Sequence, residues 1–463
     1  MSFSKTNKDY TVSLTFLGGA QTVTGSKFLL EWNSRRILID CGLFQGLKEL
    51  RALNWAPFPI DPKSIHAVFI THAHLDHVGY LPLLVKGGFC GPVYVTAPTR
   101  ALAEIILLDA SHIQEEDAIR AIHGGYSKHK IPRPLFTVEE SKIALSLFTV
   151  VSEEKWHPLF SSERFRFIPS GHILGSSFVE FSLGGKHWVF TGDLGREKPL
   201  LLKPRNSLSQ ADYLICESTY GDRNHPKEPV LRQLHRILWE GAQRGGDILI
   251  PSFAVGRSQD ILYLLAQLKK TKQLPELPIY FDTPMGIEAT NLLSYFPEWH
   301  RLSPSQMKEL RDVATFVPDV KRSVTLAKSR KQKIVIAGSG MMTGGRILNY
   351  LEKAVSDEKN TILLVGYQAI GTRGRQLRDR LSEIKLFGSF LPVKAKVEEI
   401  PGLSAHADQK EILSWLSGFR TEPNRVFLVH GEPGASDVLR LKIKDVLGWD
   451  VTIPGPGSRF EMN

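Results

Sequence analysis

The sequence predicts an α/β protein in which a doubly wound α/β domain is inserted into a β-rich first domain that the C-terminus completes. Three observations carry this expectation. Short apolar runs ending in Gly, Asp or His dominate the first half. A regular strand–helix alternation begins near residue 222, and the chain returns to strands in its last stretch. The expected divisions are 1–217 for the first part, 218–395 for the insertion and 396–463 for the completion.

In the first part the strand candidates are RRILIDCG (35–42), HAVFITH (66–72), RFRFIPSGH (164–172), HWVFTGD (187–193) and DYLICE (212–217). Each is rich in Val, Ile or Phe and is stopped by a turn-forming or polar residue. A helix over 98–120 intervenes. In the insertion, DILIPSF (247–253) precedes a helix over 257–270, and PIYFDT (278–283) precedes a helical stretch through Tyr295. KIVIAGS (333–339) then leads to a helix over 345–355, and NTILLVGY (360–367) to one over 373–382. Four such repeats imply a mostly parallel sheet, because parallel strands need crossover helices. The return comprises VEEIPGLSAH (397–406), a helix near 408–418 and RVFLVHGEP (425–433).

Bulk properties narrow the function classes. With 463 residues, 42% hydrophobic and 23% charged, the chain has ordinary globular composition and the length of two or three domains. No apolar run approaches the roughly 18–20 residues needed to span a bilayer. The N-terminus reads as a polar tail leading into a strand, without a signal peptide's apolar core. Three cysteines, Cys41, Cys90 and Cys216, form no CxxC pair and cannot build a disulfide framework, so a reducing cytoplasm is the expected compartment. The net charge of +10 is concentrated in 321–333 and 373–380 and favours a polyanionic partner. Nothing indicates a homo-oligomer.

The chemistry is concentrated in THAHLDHVG (71–79). Residues two apart on an extended segment point the same way, so His72 and His74 can grip one cation. Asp76 and His77 follow where the chain turns into a helix and can face a second cation. Imidazole plus carboxylate is a ligand set suited to zinc. Four ligands cannot close two sites. His172, Asp193 and His430 each directly follow a strand candidate, as do Asp40, Glu217 and His406, and strands sharing a sheet would bring these residues to one rim. Asp193 has two oxygens with which to bridge, whereas Asp40 suits the role of accepting a liganding histidine's second ring N–H.

The ordered set LIDCG, HAHLDH, SGHILGS, TGDLG, ESTYGDR, SAHAD and VHGEP resembles the β-CASP branch of the metallo-β-lactamase superfamily, from about residue 12 to 460. That branch includes bacterial and archaeal RNA-processing nucleases and the endonuclease subunit of the pre-mRNA 3′-end cleavage complex. The resemblance implies an αββα sandwich with an inserted β-CASP domain closing over two zinc ions. It puts His72, His74, His172 and Asp193 on one metal and Asp76, His77, Asp193 and His430 on the other.

Two cations about 3.5–4 Å apart lower the pKa of a shared water and clamp an in-line displacement. The expected reaction is attack of a bridging hydroxide, oriented by Asp76, on an RNA phosphodiester. His406 would act as general acid and Glu217 would hold it protonated, leaving a 5′-phosphate and a 3′-hydroxyl. Single-stranded RNA is the expected partner, cleaved internally, from the 5′ end, or both. Gly-rich strand-to-helix turns in the insertion offer free N–H groups to phosphate, and Arg257, Ser339, Arg346, Arg373 and Arg375 are the candidate contacts, with Ser404 of SAHAD beside them.

Three alternatives compete with this reading. A small-molecule hydrolase on the same core would need neither the long basic insertion nor the Glu217–His406 pair. A non-catalytic RNA-binding subunit would be expected to have lost ligands. DNA-directed members of the family typically lack a histidine where His430 stands. Manganese is the alternative metal to zinc.

Overall fold

The computed structural model describes residues 11–124 and 132–462, so the polar tail expected at residues 1–10 lies outside the described residues. The chain forms two compact units. The first comprises Met1–Glu197, Pro204–Asn224 and His406–Asn463, in so far as those residues are described; the second comprises Lys198–Lys203 and His225–Ala405.

Among the described residues the first unit holds two seven-stranded sheets. One runs, in spatial order, Arg459–Met462, Val12–Gly18, Lys27–Trp32, Arg35–Ile39, Ala67–Phe69, Val93–Val95 and Phe148–Val150. The other runs Val451–Thr452, Arg425–Val429, Tyr213–Glu217, Lys186–Phe190, Ser177–Leu183, Arg164–Pro169 and His157–Pro158. Their facing sides share one core in which Phe16, Phe69, Phe165, Phe181, Phe190 and Phe427 are fully or almost fully buried. The outer face of the second sheet is also apolar. Phe178, Leu214 and Leu428 pack there with Ile412, Trp415, Leu439 and Ile443 from the helices Gln409–Leu416 and Pro433–Leu447. On the first sheet, Leu38 and Val68 point away from the shared core yet are fully buried, as a sheet covered on both sides requires. The result is an αββα sandwich. The C-terminal segment completes both sheets, pairing Arg459–Met462 with Val12–Gly18 and Arg425–Val429 with Tyr213–Glu217.

Strand direction decides where the chemistry collects. Lys186–Phe190, Tyr213–Glu217 and Arg425–Val429 are mutually parallel, and two antiparallel steps through Ser177–Leu183 give Arg164–Pro169 the same direction. Their C-terminal ends therefore lie at one edge. In the first sheet Arg35–Ile39 and Ala67–Phe69 are likewise parallel.

The second unit is a six-stranded, all-parallel sheet in the order Thr315–Phe316, Ile279–Asp282, Ile334–Ala337, Ile248–Pro251, Thr361–Leu364, Lys396–Glu399. Both faces are covered by buried apolar side chains, as a doubly wound fold demands. The expected boundary at 395/396 cuts through this sheet. Lys396–Glu399 pairs in parallel with Thr361–Leu364, so the structural boundary falls at 405/406, just ahead of His406. The sequence reading of 397–406 as one strand is corrected for the same reason, since a short helical turn, Pro401–Leu403, follows the strand. The helix expected to begin at Asp76 and His77 is two, Leu75–Val78 and Leu81–Lys86, separated at Gly79 and Tyr80.

One buried charge in the first unit has no carboxylate partner among the described residues. Lys27 donates to the Gly25 carbonyl at 3.2 Å, and its ammonium lies 4.3 Å from the Phe44 ring centroid and 4.8 Å from that of Tyr80. Burial pulls its pKa down to about 8, although Cys41 nearby opposes the shift. The folded chain thus releases this proton near pH 8 and the unfolded chain near 10.5, so the unfolded state binds more protons between those values and stability rises across that window. Lys27→Met should stabilise the protein by about 1–3 kcal/mol at pH 7. In denaturant titrations the advantage should shrink as pH passes from 8 to 10.5; a constant gap would show that the charge is not its source.

Candidate metal centre

Six segments at strand ends deliver nine polar side chains to one place in the first unit, and a seventh adds His406. Asp40 follows Arg35–Ile39, and His72 to His77 follow Ala67–Phe69. His172 follows Arg164–Pro169, Asp193 follows Lys186–Phe190, Glu217 ends its own strand, and His430 follows Arg425–Val429. His406 arrives from the loop before the helix Gln409–Leu416 and is pinned by a bridge to Gly195.

The ligand atoms fall into two groups. In the first, His72 Nε2 lies 3.1 Å from His74 Nδ1, and His172 Nε2 lies 3.2 Å from the same atom. Asp193 Oδ2 is 3.4 Å from His72 Nε2 and 3.3 Å from His172 Nε2. In the second, His77 Nε2 lies 3.2 Å from His430 Nε2, which is 3.3 Å from Asp76 Oδ2. Asp193 Oδ1 is 3.3 Å from His77 Nε2. Asp193 therefore turns one oxygen to each group.

These contacts make little sense as a hydrogen-bond network. Imidazole nitrogens face one another in pairs, and Asp193 Oδ1 is buried without a hydrogen-bond donor among the described residues. Burying this many polar atoms without mutual satisfaction is costly, unless a cation accepts the converging lone pairs. Protonation agrees. Burial and the neighbouring imidazoles hold His72 down to about 3, and burial leads the fall of His74 to about 4 despite the carboxylates nearby. His172 is held well below the usual range by burial and by His406. Each is thus neutral at working pH, the form in which imidazole ligates. For Asp193 and Asp76, burial pushes upward but the surrounding histidines prevail and keep both ionised.

A surrounding layer orients the ligands. Asp40 Oδ2 lies 2.7 Å from His77 Nδ1, while its carboxylate accepts from the Thr71 amide at 2.8 Å and the Thr71 hydroxyl at 2.9 Å. Burial raises the Asp40 pKa, and on His77 the carboxylates of Asp193 and Asp40 outweigh burial and raise the imidazole's. The Thr219 hydroxyl donates to the His430 carbonyl at 2.9 Å and lies 3.1 Å from its Nδ1, which holds His430 at a left-handed φ of 48°. Sequence reasoning missed Thr71 and Thr219. Their signal was adjacency, since both stand within the quoted THAHLDH and ESTYGD motifs. At Gly42 a Cβ would collide with the Asp76 carbonyl, so the glycine of LIDCG lets the ligand loop pack against it.

Glu217 and His406 form a close pair beside these groups. Both Glu217 carboxylate oxygens lie 3.1 Å from His406 Nδ1, while Glu217 Oε1 also accepts from the Leu194 amide at 2.6 Å. His406 Nε2 points into the centre, 3.9 Å from Asp193 Oδ2. Burial alone would lower the His406 pKa, but the Glu217 and Asp193 carboxylates overcome it and raise it to about 9.

The residues expected at phosphates all lie in the second unit. Arg346 donates to Asp282 Oδ1 at 2.7 Å and to the Val317 and Pro318 carbonyls at 2.8 Å. Arg373 donates to the Lys385 carbonyl at 2.7 Å and the Met342 carbonyl at 2.9 Å. The Ser339 hydroxyl accepts from the Thr343 amide at 3.1 Å and the Gly344 amide at 3.3 Å. For these three the expectation is revised: their polar atoms bond to other parts of the unit, Arg346 to Asp282 and the 317–318 carbonyls, Arg373 to the 385 and 342 carbonyls, and Ser339 to its own Gly-rich loop. Arg257 and Arg375 each pair with one carboxylate, Asp260 at 2.8 Å and Asp379 at 2.6 Å. Arg257 Nε has no hydrogen-bond partner among the described residues, and Ser404 is buried.

Three family models match the chain: the Metallo-beta-lactamase superfamily over residues 25–244, the Beta-Casp domain over 258–377, and the Zn-dependent metallo-hydrolase RNA specificity domain over 391–454. Ribonuclease TTHA0252 of Thermus thermophilus is 40% identical over 90% of this chain and 92% of its own length. Transcription termination factor FttA of Methanosarcina mazei is 34% identical over 93% of this chain and 68% of its own. An RNase J-like protein of Methanocaldococcus jannaschii is 31% identical over 96% of this chain and 99% of its own. Among solved structures, a protein of unknown function from Enterococcus faecalis superposes with a TM-score of 0.52 over 98% of this chain and 100% of its own; at 14% identity that likeness is one of fold.

Proposed function

Because the chain belongs to the β-CASP family of the metallo-β-lactamase superfamily, we propose that it is a dinuclear zinc ribonuclease hydrolysing phosphodiester bonds of single-stranded RNA. The observation that carries the dinuclear reading is the division of Asp193 between two ligand groups. His72, His74, His172 and Asp193 would hold one cation, and Asp76, His77, Asp193 and His430 the other. Bound there, the cations would activate water and neutralise charge developing on phosphate.

The protein's own groups supply the rest. Asp193 and Asp76 accept hydrogen bonds and can orient the attacking water. His406, protonated through its Nδ1 contact with Glu217, presents Nε2 to the leaving 3′-oxygen and gives up its proton there. The products are a 5′-phosphate and a 3′-hydroxyl. Arg257, Arg375 and Ser404 are retained as proposed phosphate contacts. RNA as substrate is supported by the net charge of +10 and by the relatives named as ribonucleases. His430, with its support from Thr219, favours RNA over DNA within this reading.

Purified protein incubated with 5′- and 3′-labelled RNA, alongside the same sequence as DNA and a simple lactone, tests the proposal when metal content is measured in parallel. RNA alone should be cut, with two zinc equivalents per chain. Raising salt from about 50 to 200 mM should weaken RNA turnover at low substrate by tenfold or more, whereas lactone hydrolysis would be insensitive. Intact RNA with metal-replete protein would sink the proposal.

A further inference from the structure

The second unit carries an exposed aromatic pair for which folding gives no reason. The hairpin of Glu383–Leu386 and Ser389–Pro392 closes through a two-residue turn, Phe387 and Gly388, with φ of 46° and 90°. Left-handed backbone at both positions is the type I′ geometry, for which Asn-Gly is favoured and a bulky first residue is disfavoured. That residue is nevertheless Phe387, 60% exposed. Phe390 is 62% exposed on the outward face, directly opposite Lys385, whose ammonium lies 5.5 Å from the ring centroid. The hairpin meets its packing needs without them, through buried Ile384 and Leu386 on the inward face.

The surroundings are cationic and anchored. Lys and Arg outnumber Asp and Glu seven to two across residues 373–396. Arg373 donates to the Lys385 carbonyl in the hairpin and to the Met342 carbonyl in the Gly-rich loop, so one guanidinium ties the two together. A pair of exposed planar apolar faces on a cationic segment suits a ligand that alternates flat bases with phosphates. A second copy of a chain carrying +10 would instead meet like charge.

We propose that Phe387 and Phe390 form a base-stacking platform for single-stranded RNA. The inference rests on the ribonuclease reading and adds a binding site to it. Its test uses the full chain and fluorescein-labelled phosphorothioate oligouridylate, titrated by anisotropy against an abasic oligomer of the same backbone. The wild type should prefer the base-bearing oligomer. The double variant Phe387→Asn, Phe390→Thr should bind it at least about tenfold more weakly, since each base–aromatic stack multiplies affinity by roughly five- to a hundredfold, and should bind the abasic oligomer as before. Asparagine suits the turn better than phenylalanine, so the variant's Tm should not fall. Unchanged binding by the variant, or equal losses on both oligomers, overturns the platform alone. So does a wild-type dimer that the substitutions convert to monomer, which would give the rings to a contact between copies. Failure of the wild type to bind either oligomer overturns the ribonuclease reading as well.

Discussion

Replacing His406 with alanine is expected to lower RNA cleavage by about 10³-fold while both metal equivalents stay bound, a loss typical of removing a general acid. The expectation follows from geometry. His406 Nε2 faces the centre at 3.9 Å from Asp193 Oδ2 but belongs to neither convergent group, and its Nδ1 is committed to Glu217. It is thus placed to serve a leaving group and not a cation. Glu217→Gln should cost less, about tenfold to a hundredfold, because the amide still contacts Nδ1 and loses only the charge that favours imidazolium. Metal analysis beside single-turnover rates separates the roles. If the alanine variant comes out metal-depleted, His406 is a ligand and the acid must be sought elsewhere.

Asp193→Ala is expected to have the larger effect, abolishing detectable cleavage and leaving less than one metal equivalent per chain. Its two oxygens serve both ligand groups, so its removal subtracts a ligand from each site at once. It also removes a carboxylate that lies 3.3–3.4 Å from His72, His77 and His430, part of the anionic balance for two divalent cations. His74→Ala, by contrast, touches one group only and should weaken one site while the other fills. Titration of metal-stripped protein with zinc distinguishes the two variants by stoichiometry. An Asp193→Ala protein that still binds two equivalents tightly would show that the centre does not share this carboxylate.

The convergent histidines and aspartates were legible in the sequence because metal chemistry restricts residue type, and because a strand end is a readable position. His172, Asp193 and His430 each stand at the close of an apolar run, and all three reach the loop that holds His72 to His77. The phosphate expectations were less legible. A Gly-rich turn after a strand looks the same whether its arginine faces a ligand or braces the loop, and Arg346 and Arg373 brace it. The Phe387 turn was unreadable for a related reason. An apolar residue inside an apolar run gives no sign that its backbone is left-handed and its ring exposed.

By itself the sequence determined the donor set, the order of its motifs and the alternation of strand and helix, since all are properties of residue type and local period. The tertiary structure decided which sheet each strand joins and in which direction. That choice moved residues 396–405 out of the sandwich and into the parallel sheet, and it gave Asp193 one oxygen for each group of ligands. Such outcomes depend on pairing between segments distant in sequence, 361–364 with 396–399 and 213–217 with 425–429, where the hydrogen bonds and buried area gained belong to the pair and to neither segment alone.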